Sequence, residues 1–180
     1  MINAPVLGFA AYSGTGKTTL LKQLIPLLKD KGVRIGMIKH AHHNFDIDTP
    51  GKDSYELRKA GAEQMLIASQ KRWALMVETP DLQGDPDLDE LLHRLDHSKL
   101  DLILVEGFKH IAFAKIELHR PSLGKDLLFP QDDTIIAVAT DQTEEIKTDL
   151  PILEINNPGM IADFVFDFLK RARSSDPVTG

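Results

Sequence analysis

Residues 11–18 read Ala-Tyr-Ser-Gly-Thr-Gly-Lys-Thr, the phosphate-binding pattern G-x-x-x-x-G-K-[ST] with Ala11 in place of its first glycine. The chemistry is that of polyphosphate binding. Gly14 and Gly16 let the backbone approach an anion and adopt positive φ without a Cβ penalty. Backbone N–H groups over Ser13, Gly14, Thr15, Gly16, Lys17, Thr18 and Thr19 would wrap the phosphates at a helix N-terminus. Lys17 would contact the β- and γ-phosphates, and the Thr18 hydroxyl would ligate Mg²⁺.

A second constellation is Leu102-Ile-Leu-Val-Glu106-Gly107, an apolar strand ending in a carboxylate. In phosphate-loop proteins such an acid faces Mg²⁺, more often as Asp; Glu106 fills the role with a longer reach. Gly107 either brings an N–H near the γ-phosphate or is an ordinary turn glycine, and Lys109 either leans toward phosphate or is a surface lysine. Lys39, which ends the second strand, and Lys115 likewise either lean toward phosphate or, by default, are surface lysines. Asp46, Asp48 and Asp53 lie in or just after the connection that follows the second strand, where nucleotide switches keep a metal-facing acid. Asp48 carries that expectation, whereas Asp53 suits a helix cap better. His40, His42 and His43 cluster nearby without the helical spacing typical of zinc ligands, a pattern more often polar or phosphate-adjacent.

Short apolar runs alternate with amphipathic stretches, as in an α/β protein built on a mostly parallel sheet flanked by helices. Pro5–Ala10 reads as the first strand. Leu20, Leu21, Leu24, Ile25, Leu27 and Leu28 then form one helical face, which Gly32 ends and Pro26 should kink or break. Val33–Lys39 is the second strand, and Asp53 with Glu56 resembles a capping box for a short helix over Ser54–Ala60. Gln64–Ala68 and Arg72–Val77 form a hairpin, which predicts a mixed sheet with a protruding hairpin; Trp73 in it suits packing or a dimer contact. Leu88, Leu91, Leu92 and Leu95 mark the next helix. Strands follow at Leu100–Val105, Lys115–Leu118, Ile135–Ala139 and Ile152–Ile155. A last helix opens near Pro158 and packs Ile161, Phe164, Val165, Phe168 and Leu169 on one face.

With 180 residues, 42% of them hydrophobic, the chain predicts one domain over residues 1–173 and a tail over 174–180. The absence of cysteine excludes thiolate zinc sites, iron–sulfur clusters and nucleophilic cysteines. A net charge of −6 gives no global drive toward nucleic acid or anionic membranes, so small molecules or proteins are the expected partners. No apolar run approaches a transmembrane length, and the N-terminus lacks the basic and long apolar regions of a secretory signal. A cytoplasmic location is expected.

Several segments together resemble the MobB-type molybdopterin-guanine dinucleotide biosynthesis adaptors: SGTGKTTLL, LILVEGFK, the KIEL-x-R run at Lys115–Arg120, GKDSYELRKAGA at Gly51–Ala62, and IIAVATD at Ile135–Asp141. The resemblance spans roughly residues 4 to 170. It implies a homodimeric GTP-binding protein of the phosphate-loop NTPase group, with Mg²⁺ and at most slow GTP hydrolysis. Its role would be to assist a MobA-type guanylyltransferase that joins GMP to molybdopterin, and molybdopterin itself is an admissible ligand. In the family, strands after the second helix contribute to the dimer, here most naturally the Trp73 hairpin, with the Ala41–Lys52 segment as a further candidate. The Asn-Lys-x-Asp motif that reads guanine elsewhere is absent; Asp141 is the nearest strand-end substitute, and a turn or cap role suits it equally. The competing enzymatic reading is a small-molecule kinase or ATP-dependent ligase on the same scaffold, with Lys109 and the His-rich loop holding an acceptor. A purely structural protein with a vestigial site is the third.

Overall fold

A computed structural model describes residues 4–41 and 45–175. In chain order its elements are β1 (Val6–Ala11), α1 (Lys17–Asp30), β2 (Ile35–Lys39), α2 (Asp53–Lys59), β3 (Gln64–Ala68), β4 (Trp73–Val77), α3 (Leu88–His93), β5 (Leu102–Glu106), β6 (Lys115–His119), β7 (Ile135–Thr140), β8 (Ile152–Glu154) and α4 (Pro158–Ser175). They fall into two compact units, Met1–His40 with Leu88–Gly180, and Ala41–Asp87.

The first unit holds a six-stranded sheet in the order β2-β5-β1-β6-β7-β8, with every neighbouring pair parallel. A parallel strand at the centre must be covered on both faces, which is why β5 is buried at every position. On one face, Leu7, Phe9, Leu104 and Ile116 pack against Leu20, Leu21, Leu24 and Leu28 of α1 and Ile161, Val165 and Leu169 of α4. On the other, Ile38, Ile103 and Val105 meet Leu88 and Leu92 of α3. Helix α1 runs on through Pro26, although proline removes a donor. Leu24 and Leu28, buried on either side of it, hold the segment against the sheet, so the expected break does not occur.

Strand β1 lies between β5 and β6, and the two halves of the sheet extend from it in opposite directions. The crevice outside the carboxyl ends of such strands is where open α/β sheets bind ligands. The connection from β5 to β6 crosses β1 closely enough that a Cβ on Gly8 would lie 2.4 Å from the Phe113 ring. Just past the carboxyl end of β8 the Asn157 side chain accepts the Met160 N–H and caps α4 beside Pro158. Ser174 and Ser175, expected in the tail, belong to α4; residues 176–180 lie outside the described residues.

The second unit contains α2 and the antiparallel pair β3–β4, which forms its own two-stranded sheet. The hairpin is as expected, but it adds no antiparallel strand to the large sheet, so no single sheet is mixed. Its turn is closed by the Ser69 N–H donating to the Arg72 carbonyl and by the Ser69 hydroxyl accepting from Lys71 and Arg72. Helix α2 begins one residue earlier than expected. Asp53 is its first helical residue and not its cap; Lys52 precedes it without a side-chain cap, and Glu56 reaches back to accept the Gly51 N–H. Asp53 still acts favourably on the helix dipole from the first turn.

Candidate functional site

Between the end of β1 and the start of α1, residues 12–16 form a tight loop. Gly14 (φ 86°) and Gly16 (φ 95°) both occupy the left-handed region, which penalises any side chain. Gly16 is also the N-cap and supplies no side-chain cap, so the first-turn N–H groups of α1 have no intrahelical acceptor. Thr15 is buried, and its hydroxyl donates to the Tyr12 carbonyl at 2.8 Å. The Thr15 hydroxyl is thereby turned inward, while Ser13, Thr18 and Thr19 are exposed and Lys17 is half-buried.

Opposite this loop, β5 ends in Glu106, whose side chain is only 11% exposed. Its Oε1 lies 3.8 Å from Lys17 Nζ and 3.3 Å from Lys39 Nζ. The sequence named Lys17 and Glu106 separately and gave Lys39 a surface role by default; the β2–β5 register sets Lys39 directly beside Glu106. Gly107 (φ 97°) is demanded twice over, because a Cβ there would also come within 2.6 Å of His40 Cβ. The His40 N–H in turn donates to the Glu106 carbonyl at 2.8 Å. Packing against His40 accounts for this glycine without a ligand.

Lys109 is exposed and lines a cleft of about 420 Å³ with Ala10, His110, Lys115, Gln131 and Asp132. Among the described residues the cations on Glu106 are Lys17 and Lys39, and Lys109 is not one of them. Lys115 opens β6 and is fully buried, not a surface lysine. Its ammonium is held by Asp132 at 3.0 Å and the Ile111 carbonyl at 2.7 Å. Glu117 accepts the Leu128 and Phe129 N–H groups, and burial pushes its carboxyl up from the ordinary range.

Asp141, just past β7, binds Arg120, which follows β6. The same guanidinium donates through Nε to the Thr15 carbonyl at 3.0 Å and through Nη2 to Asn156, beyond β8, at 2.9 Å. One side chain thus ties the phosphate loop to three strand ends. Asp141 Oδ1 is buried and has no hydrogen-bond partner among the described residues. The sequence motifs assign Arg120 no individual role; its signal there is its place at the end of the KIEL-x-R run, immediately after a strand.

Asp48 belongs to the second unit. Its side chain is 4% exposed, with Oδ1 2.7 Å from Arg58 Nη2; Asp46 and Glu78 bind the same guanidinium at 2.6 and 2.7 Å. The hydrogen bond from Arg58 holds the Asp48 carboxyl below the usual range. This acid is engaged in a local ion-pair network, which provides a reason for its burial other than a metal. His42 and His43 lie outside the described residues. Among the described residues no group of three or more His, Cys, Asp or Glu is arranged to hold a metal ion, and no helix is long and apolar enough to cross a membrane.

Comparison with known proteins agrees with this layout. A family model for molybdopterin guanine dinucleotide synthesis protein B matches residues 6–141. The chain is 55% identical over 170 residues to the molybdopterin-guanine dinucleotide biosynthesis adapter protein of Escherichia coli K12, covering 93% of this chain and 94% of that one. It is 45% identical over 166 residues to the adapter protein of the same description from Haemophilus influenzae, covering 92% and 89%. A crystal structure of a molybdopterin-guanine biosynthesis protein B aligns with a TM-score of 0.69 and 26% identity over 92% of this chain and 99% of its own. Bacillus subtilis MobB aligns with a TM-score of 0.69 and 23% identity over 91% and 96%, a likeness of fold. The expected phosphate-loop NTPase fold is thereby shown.

Proposed function

The chain belongs to the MobB family of molybdopterin-guanine dinucleotide biosynthesis adapters, and from that premise we propose that it binds GTP with Mg²⁺ at the phosphate loop and assists a guanylyltransferase. The observation that carries the nucleotide reading is the apposition of Lys17 and Glu106 across a loop whose glycines hold positive φ. A polyphosphate fits the chemistry of this loop: it has a cationic side chain, open first-turn N–H groups and no Cβ in the way at Gly16.

The donor set also fits Mg²⁺, a hard cation that takes oxygen ligands and keeps several waters. Thr18 would contribute its hydroxyl and Glu106 its carboxylate, and the ion would offset phosphate charge. Thr15 and Arg120 fix the loop around the anion, and Ser13 and Thr19 border it. Gly107 admits the close turn beside Glu106. At the base end, the unpartnered Oδ1 of Asp141 supports guanine over adenine, since guanine presents N1–H and N2–H donors that a carboxylate accepts. Hydrolysis is secondary in this reading, and the active form is a homodimer that uses the β3–β4 hairpin.

Isothermal titration of GTP, GDP and ATP with Mg²⁺ tests the proposal. It expects GTP and GDP to bind and ATP to bind far more weakly. Binding of ATP without GTP would overturn it. Stimulation of a purified guanylyltransferase, lost in Lys17→Ala, tests the adapter half.

A further inference from the structure

We propose that Lys39 is a second phosphate-site cation which makes the site prefer a nucleoside triphosphate to a diphosphate, and that Glu106 keeps it poised there. The proposal rests on the nucleotide reading above and concerns a residue that reading does not use. Three observations converge on it. The parallel register pairs Lys39 with Glu106, and the next residue, His40, donates its N–H to the Glu106 carbonyl, so the end of β2 is fixed beside the acid. Lys39 Nζ hydrogen-bonds Glu106 Oε1 at 3.3 Å, on the same oxygen that Lys17 approaches at 3.8 Å. The two ammonium groups therefore lie no farther apart than the sum of those distances, held by one nearly buried carboxylate.

Two cations against one anion leave a local excess of positive charge, which a polyanion relieves. The Lys39 side chain is 56% exposed, so its pair with Glu106 adds little to folding and can be exchanged for a ligand without disturbing the core. Sheet order sets which phosphate it would meet. Strand β5 lies between β1 and β2, so Lys39 approaches Glu106 from the side opposite the phosphate loop. A phosphate chain cradled by the loop and extending toward Glu106 presents its terminal phosphoryl group to Lys39. A diphosphate ends short of it.

The test is titration of GTP and of GDP, with Mg²⁺, into the full-length wild type, Lys39→Gln, Lys39→Arg and the control Lys99→Gln, at an exposed lysine before β5, each with a thermal melt. Lys39→Gln should weaken GTP about tenfold and GDP no more than about twofold, with the melting temperature unchanged. Lys39→Arg should restore most of the GTP affinity, and Lys99→Gln should leave the GTP-to-GDP ratio as in the wild type. An unchanged ratio in Lys39→Gln, or equal loss of both nucleotides with a lowered melt, would overturn the proposal while leaving the nucleotide site standing. Failure of the wild type to bind either nucleotide would remove the underlying reading, and the role of Lys39 with it.

Discussion

Lys17, opening α1 after β1, and Glu106, ending β5, are opposite charges brought to one crevice, and the proposed nucleotide site gives each a separable duty. Lys17→Ala removes a charge-assisted contact to phosphate and should weaken GTP binding about 10- to 100-fold with little change in melting temperature. Glu106→Gln retains the shape and loses the charge, so titrations with and without Mg²⁺ should converge. A Mg²⁺ dependence as steep as in the wild type would exclude Glu106 from metal binding. Gly107 is a different case: its left-handed backbone and the nearby His40 Cβ predict that Gly107→Ala lowers the melting temperature. Glu106 and Lys17 were legible in the sequence because each closes a local pattern, an apolar strand in one case and a glycine-rich loop in the other. Lys39 stood out there only as one of three lysines near strand ends, since its partner is 67 residues away and only the β2–β5 register joins them.

Between elements, the long side chains of two arginines do the joining. Arg120 links the loop after β1 to the ends of β7 and β8. Arg120→Met should therefore lower GTP affinity and its preference over ATP together, whereas loss of affinity with unchanged base preference would confine Arg120 to the phosphate loop. At the opposite end of the sheet, Asp101 just before β5 is gripped by Arg34 before β2 and by Arg173 of α4. The bond from Arg34 holds its carboxyl down from 3.8 to about 2. A depressed carboxylate stabilises the fold above its unfolded value and loses that contribution as pH falls through its folded one. The melting-temperature difference between wild type and Asp101→Asn should thus be full above pH 3.8 and disappear by about pH 2. A difference of the same size at both ends of that range would show the pair to be energetically silent. Most strands and helices were readable from periodicity, but the start of α2 was not. Asp53 and Glu56 fit a capping box in sequence, and the chain instead satisfies Gly51 with Glu56 and takes Asp53 into the helix.

For the molecule as a whole, the second unit leaves unusual apolar surface uncovered: Trp73 is 68% exposed and Leu66 60%. A two-stranded hairpin has little core of its own, so covering such residues stabilises it. Under the homodimer proposal, Trp73→Glu should shift the mass measured by light scattering from dimer to monomer without abolishing GTP binding. An unchanged dimer would move the interface elsewhere.

The sequence by itself determined the phosphate loop, the strand-end acid, the helix-flanked parallel sheet and the resemblance to the adapter family. These rest on patterns within a few residues, where glycine conformation and hydrophobic period leave few choices. Tertiary structure decided which charges meet. It put Lys39 beside Lys17 on Glu106, gave Arg120 the Thr15 carbonyl from 105 residues away, and committed one oxygen of Asp48 to Arg58. Ion pairs of this kind are set by strand order and register, and a charged residue carries no local mark of the partner that the fold will bring to it.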